Sequence, residues 1–318
     1  MASGMPLKFQ AANVLVSKGF SVRTDYKFGR EAPADQSPFQ RRETRVDLYG
    51  VAHSPFSRPE KITARMEILA ECAHRRSDAA WLFLPDPNTG AGSPAASGRT
   101  VRAVDQFSHY TLRGAALDAL DAELPVCQTG LEVDLDTGET DFSALDLGLT
   151  RLQHALPRLF SENVMNYMTA PPQENVPFLF CPVLLTTAPL YVMDPGADVA
   201  RFAEADRIGD IAEASPYLLM YLDYGPEFER LCREECDRMT VLQRSDKAML
   251  IEQKRARHSD SQNYLPFTII DALITGERYC LAAFFTQFIV CELASFPALL
   301  DLLKKTAASV LRSRKYIQ

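Results

Sequence analysis

The order of patterned segments predicts a mixed α/β fold: a helix, three strands, a second helix and a returning strand, then a mostly helical extension. Three observations carry this reading. Lys8 to Lys18 places apolar residues at helical spacing and stops at Gly19. Arg45 to Ala52 and Ile62 to Ala73 alternate as strands. Phe178 to Thr187 is a continuous apolar run of the kind found in a strand buried on both faces.

Taken in order, the first helix is amphipathic through Phe9, Ala12, Val14 and Leu15, and Ser21 to Tyr26 alternates as the first strand. Glu31 to Pro38 is rich in Pro, Ala and Asp and reads as a loop, and Pro55 and Pro59 separate the second strand from the third. Trp81 to Leu84 is a fourth apolar segment closed by Pro85-Asp86-Pro87, and Asn88 to Gly98 is Gly- and Ser-rich, hence a flexible excursion. Ala144 to Met168 carries Leu145, Leu149, Leu152, Leu156, Leu159 and Phe160 at helical spacing, with Pro157 as a point where the helix could kink. Leu190 to Met193 follows as a short apolar segment. The pattern divides the chain into a core over 5–193, interrupted by an insertion at 87–140, and a mostly helical part over 194–318. In that second part Pro226 to Gln243 and Leu281 to Leu311 read as helices and Tyr264 to Asp271 as a strand. It is a candidate subdomain or interface element.

Of 318 residues, 47% are apolar and 24% charged, the balance of an ordinary globular protein. A net charge of -7 argues against indiscriminate binding to nucleic acid but leaves room for a local basic groove. Lys254 to His258 is the best basic cluster, with Arg312, Arg314 and Lys315 forming a small basic tail. The cysteines, at 72, 127, 181, 232, 236, 280 and 291, are odd in number and irregularly spaced, so reduced thiols are expected. Cys232 and Cys236 lie one helical turn apart but lack the second pair that a zinc site would need. His109, His154 and His258 are isolated. Phe284, Phe285, Phe288 and Phe296 read as core or interface packing and not as a base-stacking platform. The start lacks the basic and apolar regions of a secretory signal. The longest uncharged apolar stretch, Cys280 to Cys291, falls short of the roughly 20 residues a membrane span needs. A cytoplasmic protein with no membrane contact is expected.

The residues that point to chemistry are Asp47 on the second strand and Glu71 near the end of the third. Two carboxylates on neighbouring strands can share a hard cation such as Mg²⁺, which takes oxygen ligands, neutralises phosphate charge and activates water. Alternation puts Met66, Ile68, Ala70 and Cys72 on one apolar face, and Glu67, Leu69, Glu71, Ala73 and Arg75 on the other. Position 73 therefore projects beside Glu71, where an ammonium would orient water and touch phosphate. Here it is a methyl group. Arg75 lies about 6–7 Å further along the same face, where it could grip phosphate; it stays protonated and cannot act as a base.

With these residues stated, the stretch from Phe9 to about Pro85, together with Phe178 to Thr187, resembles the PD-(D/E)XK, restriction-endonuclease-like nucleases, most of all their Mrr-like, defence-associated bacterial branch. The resemblance rests on Val46-Asp47-Leu48 and on Glu71-Cys72-Ala73-His74-Arg75, a form of E-C-K-x-R with the lysine replaced. It implies an αβββαβ core and a metal-dependent deoxyribonuclease using Mg²⁺ or Mn²⁺ against foreign DNA. It further implies Asp47, Glu71 and position 73 as catalytic positions. Asp47, Glu71 and the Cys72 backbone carbonyl would be metal ligands, with His74 and Arg75 near the substrate phosphate. Gln10 stands where many members carry a further acidic residue. Two explanations of Ala73 stay open, natural loss of cleavage and deliberate exchange of a lysine, the latter favoured by the leader-like Met1-Ala-Ser-Gly. Two other roles remain beside the nuclease: a nuclease-fold module that binds nucleic acid without cutting, and an assembly subunit joining a protein partner or a second copy through its helical C-terminal part.

Overall fold

Two ten-residue strands, Arg45–Ser54 (β2) and Ala64–Ala73 (β3), pair antiparallel from Ser54–Ala64 to Leu48–Ala70. β1 (Ser21–Lys27) pairs antiparallel with β2, completing a three-strand meander. The apolar run Phe178–Thr186 (β8) lies parallel to β3 along nine residue pairs, and every one of its residues is buried. A parallel neighbour needs a crossover, and the long helix α2 (Ser143–Thr169) supplies it. Pro157 lies inside α2 without ending it. In the computed structural model the described residues are 4–28, 45–54, 64–88, 102–104, 124–169, 178–243 and 285–314. The expected strand at Tyr264 to Asp271, the basic cluster at Lys254 to His258, the loop at Glu31 to Pro38, Pro55, Pro59, His109, Cys280, Phe284 and Lys315 lie outside them, as does the loop to Gly98 beyond Asn88.

The remaining strands are β4 (Ala79–Pro85), β5 (Arg102–Val104), β6 (Val126–Asp134), β7 (Thr140–Asp141), β9 (Leu190–Met193), β10 (Ala212–Ala214), β11 (Tyr217–Tyr221) and β12 (Gln287–Glu292). All belong to one mixed 12-stranded sheet, in the order β1-β2-β3-β8-β12-β11-β6-β4-β9-β10, with β5 on β8 and β7 on β6. This order corrects the expected division at residue 194. β11 and β12, from the part expected to be mostly helical, fill the centre of the sheet between β8 and β6. β12 is the second half of that correction, because Leu281 to Leu311 is not one helix. Phe285, Phe288, Ile289, Val290 and Cys291 are all buried, and an apolar segment short of a helix's polar face is better satisfied between two strands. The helix begins only at Phe296 (α5, Phe296–Arg314). The insertion is likewise part of the sheet through β6. The helix expected at Pro226 to Gln243 is present with those bounds (α4), and a short helix, α3, covers Val199–Glu204.

The sheet cannot be flat. Residues 74–78 join β3 to β4 across four intervening strands. Five strand spacings of about 4.8 Å make about 24 Å, more than six extended residue steps span. The link from β8 to β9 is shorter still, so the sheet coils until these ends meet. Among the described residues no helix is long and apolar enough to cross a membrane.

The part of the sheet made by β1, β2, β3 and β8 is covered on both faces. α1 (Met5–Ser17) packs on β1, β2 and β3 and against α5, whereas α2 packs on β2, β3 and β8 and against α4. The buried positions of α1 are Leu7, Ala11 and Leu15, so the helix is rotated from the phase its apolar residues suggest, and Phe9 is 69% exposed. Gly50 lies beneath Leu15 and Phe20, where a Cβ would meet their side chains at 3.4 Å, an ordinary packing distance. The helix rests on a glycine, and Lys8 turns towards acidic residues at the strand ends.

Candidate active site

The site forms where the β2-β3 ladder ends, while β1 and β2 pair on to Lys27–Arg45. Thr24 pairs with Leu48, and Leu48 with Ala70, so Asp25, Asp47 and Glu71 stand one step further along three adjacent strands. Beyond Leu48–Ala70, side chains replace carbonyls as acceptors. The Asp47 amide donates to Glu71 Oε2 at 3.1 Å, and the Cys72 amide donates to Asp47 Oδ2 at 3.1 Å. Asp25 adopts φ +56°, a left-handed conformation that Asp tolerates better than most residues.

Two cations from opposite faces meet this row. Lys8, on α1, places Nζ 2.8 Å from Asp25 Oδ1 and 3.3 Å from Asp47 Oδ1, with its side chain only 16% exposed. Arg151, on α2, donates from Nη1 to Glu71 Oε1 at 2.7 Å, and its Nε is buried without a hydrogen-bond partner. Gly148 brings α2 close enough for this contact, since a Cβ there would stand 2.6 Å from Leu184 on β8. Arg151 follows one turn later, flanked by Gly148 and the buried Ala155.

Glu71 is 4% exposed. Burial and the charge of Asp47 push its carboxyl up to about 7, against the opposing pull of Arg151 and the Asp47 amide. Burial alone would lower the Lys8 ammonium, but Asp25 and Asp47 outweigh it and hold Lys8 above its ordinary value. Each carboxylate thus has one cation, Arg151 on Glu71 and Lys8 on Asp47.

The face carrying Glu67 and Glu71 is not an open cleft, as α2 covers it. Glu67 is fully buried, accepting from Arg65 Nε at 2.5 Å and from Asn163 Nδ2 at 2.9 Å. Ala73 is buried at the strand end. Cys72 packs against the core, its thiol pushed well up first by burial and then by Asp47 and Glu71, which makes it a poor nucleophile. Its carbonyl faces the first turn of α1, where a Cβ on Gly4 would stand 3.8 Å away. Gln10 is exposed and about 200° round the helix from Lys8, so α1 does not bring it to the carboxylates. His74 is exposed, with Nδ1 3.4 Å from Thr187 Oγ1.

Arg75 is also drawn elsewhere. Its Nε lies 2.6 Å from Glu132 on β6, and its guanidinium stacks over Trp81 at 5.8 Å. The coiling of the sheet brings β6 and β4 to the end of β3, a contact that strand alternation alone does not reveal. Sequence reasoning missed Lys8, Asp25 and Arg151. The signals were a lysine within the apolar first helix, and an arginine between two small residues beside the leucine stripe of α2.

A divalent metal, implied by the family resemblance, needs hard oxygen ligands. Asp47 and Glu71 supply oxygens of that kind, but all four already meet Lys8, Arg151 and the Asp47 and Cys72 amides. Among the described residues, no group of three or more His, Cys, Asp and Glu side chains is placed to hold a metal ion. Compared with known proteins, the chain matches no family model, no curated protein and no solved structure.

Proposed function

We propose that this chain is a metal-dependent nuclease of the restriction-endonuclease-like kind, cleaving DNA phosphodiesters in bacterial defence. One observation carries the reading: Asp47 and Glu71 clasp each other's strands at the open end of a β-meander, inside the order α1-β1-β2-β3-α2-β8 with β8 parallel to β3. That element order is the αβββαβ order the resemblance implies, with β4 to β7 inserted before α2. Asp47 and Glu71 would hold Mg²⁺ or Mn²⁺, and the Cys72 carbonyl is the third oxygen the resemblance offers. A bound dication supplies charge neutralisation at the phosphate and a more acidic water. The protein's own part is to fix the two carboxylates through backbone amides, to orient Glu71 through Arg151, and to exclude bulk water by packing α2 over β3.

The alternative is a nuclease-fold subunit that binds nucleic acid or a protein partner without cutting. It also has a specific observation behind it. All four oxygens of the two carboxylates already meet donors: Lys8 and the Cys72 amide on Asp47, Arg151 and the Asp47 amide on Glu71. Ala73 adds no cation. The test is Mn²⁺ titration by calorimetry alongside plasmid cleavage, on the wild-type chain and on Asp47→Asn. The nuclease reading expects Mn²⁺ binding and cleavage that are both lost in Asp47→Asn. Salt-dependent DNA binding with neither Mn²⁺ binding nor cleavage would instead establish the alternative.

A further inference from the structure

Of the six large apolar side chains left exposed among the described residues, three belong to α1: Met5, Phe9 and Val16, at 69%, 69% and 58%. At about 100° per residue these three lie within about 40° of one another on the helix surface. The half-buried Ala12 falls between them. Single apolar side chains on a surface need no explanation, but a row of them does. Met5, Phe9, Ala12 and Val16 are spaced by four, three and four residues, the alternation that two helices use when they pack along a seam. Elsewhere on its surface α1 carries Leu7, Ala11 and Leu15, all buried. α1 is therefore apolar on two sides, the pattern of a helix covered twice. Its contacts with β1, β2, β3 and α5 leave the Met5, Phe9 and Val16 side bare.

We infer that this seam is covered by a second copy of the chain, its α1 lying antiparallel to the first about a twofold axis near Ala12. Charge selects this occupant. The residues bordering the seam on its outer side are Gln10, Asn13 and Ser17, all uncharged. The two charged side chains of this region are engaged within the chain, Lys8 by Asp25 and Asp47 and Lys18 by Asp301 at 2.5 Å. A charged partner would find no free counter-charge along this seam, whereas an identical copy brings no like charge against it. The spacing is self-complementary as well. In an antiparallel pair Phe9 meets Val16 of the second copy, and Val16 meets that copy's Phe9, as a twofold contact requires. Ala12 then faces its own counterpart, where two methyl groups let the helices approach closely. α1 is about 20 Å long, so the contact lies at the small end of stable interfaces and a concentration-dependent dimer is expected. The inference does not depend on whether the chain cuts DNA.

The test is sedimentation equilibrium of the wild-type chain, Phe9→Glu, Val16→Glu and, as a control, Phe142→Glu, each with its thermal melting temperature. The wild type is expected to pass from monomer to dimer between about 1 and 100 μM. Phe9→Glu and Val16→Glu should each weaken the dimer about tenfold or more, the scale of replacing an interface anchor with an unpaired charge. Both positions are exposed within one chain, so the melting temperature of the monomer should hold. Phe142→Glu alters a 48% exposed ring outside α1 and should leave the dimer unchanged. Ala12→Cys gives a second reading: mild oxidation should yield a disulfide-linked dimer beyond any that the wild type forms. Val199→Cys, at an 86% exposed position on α3, should not. A wild-type chain that stays monomeric over this range overturns the inference and leaves the seam to a different protein. A monomer whose melting temperature falls with Phe9→Glu also overturns it, since another part of the same chain would then cover the seam. So does a dimer that Phe9→Glu and Val16→Glu leave intact, or that Phe142→Glu weakens as much.

Discussion

Asp47 and Glu71 are joined through the backbone as well as by proximity: the Asp47 amide donates to Glu71 Oε2, and Asp47 Oδ2 accepts from the amide next to Glu71. Each carboxylate does the work of a missing ladder carbonyl. Removing either charge therefore disturbs strand pairing as well as chemistry, and only isosteric amides separate the two effects.

The first prediction concerns Arg151, whose ion pair with Glu71 is largely buried. Arg151→Met leaves Glu71 buried without its cation and is expected to cost about 2–3 kcal/mol in urea unfolding, towards the lower end of the range for a broken buried pair. Glu71 limits the loss because its carboxyl, already raised to about 7, rises further without Arg151 and takes up a proton. The double variant Arg151→Met/Glu71→Gln should be less destabilised than the sum of the singles by about 1 kcal/mol or more. Strict additivity would mean that the two side chains do not interact.

The sequence revealed the local half of this site and hid the long-range half. Asp47 and Glu71 follow from alternation along two strands, and β3 ends at Ala73 as alternation requires. The bounds of α4 were legible for the same reason, a clear helical period between Pro226 and Gln243. Lys8 and Arg151 were not, because their partners lie 39 and 80 positions away and are chosen by which helix faces settle on Gly50 and Leu184. Glu67 shows the limit of alternation most clearly. Its face carries Glu67, Glu71 and Arg75, yet α2 covers it and supplies Asn163 as a hydrogen-bond donor to Glu67. The central place of β11 and β12 was equally hidden, since neighbours in a sheet are set by coiling and crossovers and not by the order of segments.

The second prediction tests how α2 is seated. Gly148→Ala puts a methyl 2.6 Å from Leu184 Cδ1, closer than packed carbons approach. Leu184 is fully buried and has little room to yield. The expected cost is about 1–3 kcal/mol, typical of overpacking a dense core. Because Arg151 is on the next turn, the proposed metal-binding role further predicts an altered Mn²⁺ affinity in the same variant. An unchanged melting temperature would show that Leu184 repacks freely.

The third prediction is a pH dependence. His154 on α2 stacks against Phe228 on α4 with ring centroids 6.5 Å apart. Burial lowers its pKa, opposed by Glu227 and reinforced by Arg230. The unfolded chain, with an ordinary histidine near pKa 6.5, then binds the proton more readily than the folded one. This contribution is fully present above about pH 6.5 and is lost as pH falls through the folded value. Urea unfolding at pH 7.5 and at pH 5 should show a smaller drop in stability for His154→Gln than for the wild type. Equal drops would place the responsible titration elsewhere.

The last prediction separates Arg75 from the chemistry. The family resemblance makes it a phosphate contact, whereas its geometry makes it a brace: its Nε is ion-paired with Glu132 at 2.6 Å without hydrogen-bond geometry, Trp81 lies under its guanidinium, and Trp81 Nε1 itself donates to Glu132 Oε2 at 2.9 Å. Its backbone amide is also tied, donating to Thr187 Oγ1 at 2.8 Å. Three elements, the end of β3, β4 and β6, thus meet on one guanidinium. Arg75→Gln is expected to destabilise the fold by about 1 kcal/mol, the sum of a half-buried ion pair and a cation–π contact. A phosphate contact would leave a different mark, lowering the slope of log affinity against log salt by about 0.9. The brace predicts no such change, so DNA binding titrated between low and moderate salt should give parallel lines for the wild type and Arg75→Gln. A slope reduced by about one charge, with stability intact, would mean that Arg75 leaves Glu132 when DNA binds and that the brace gives way to substrate.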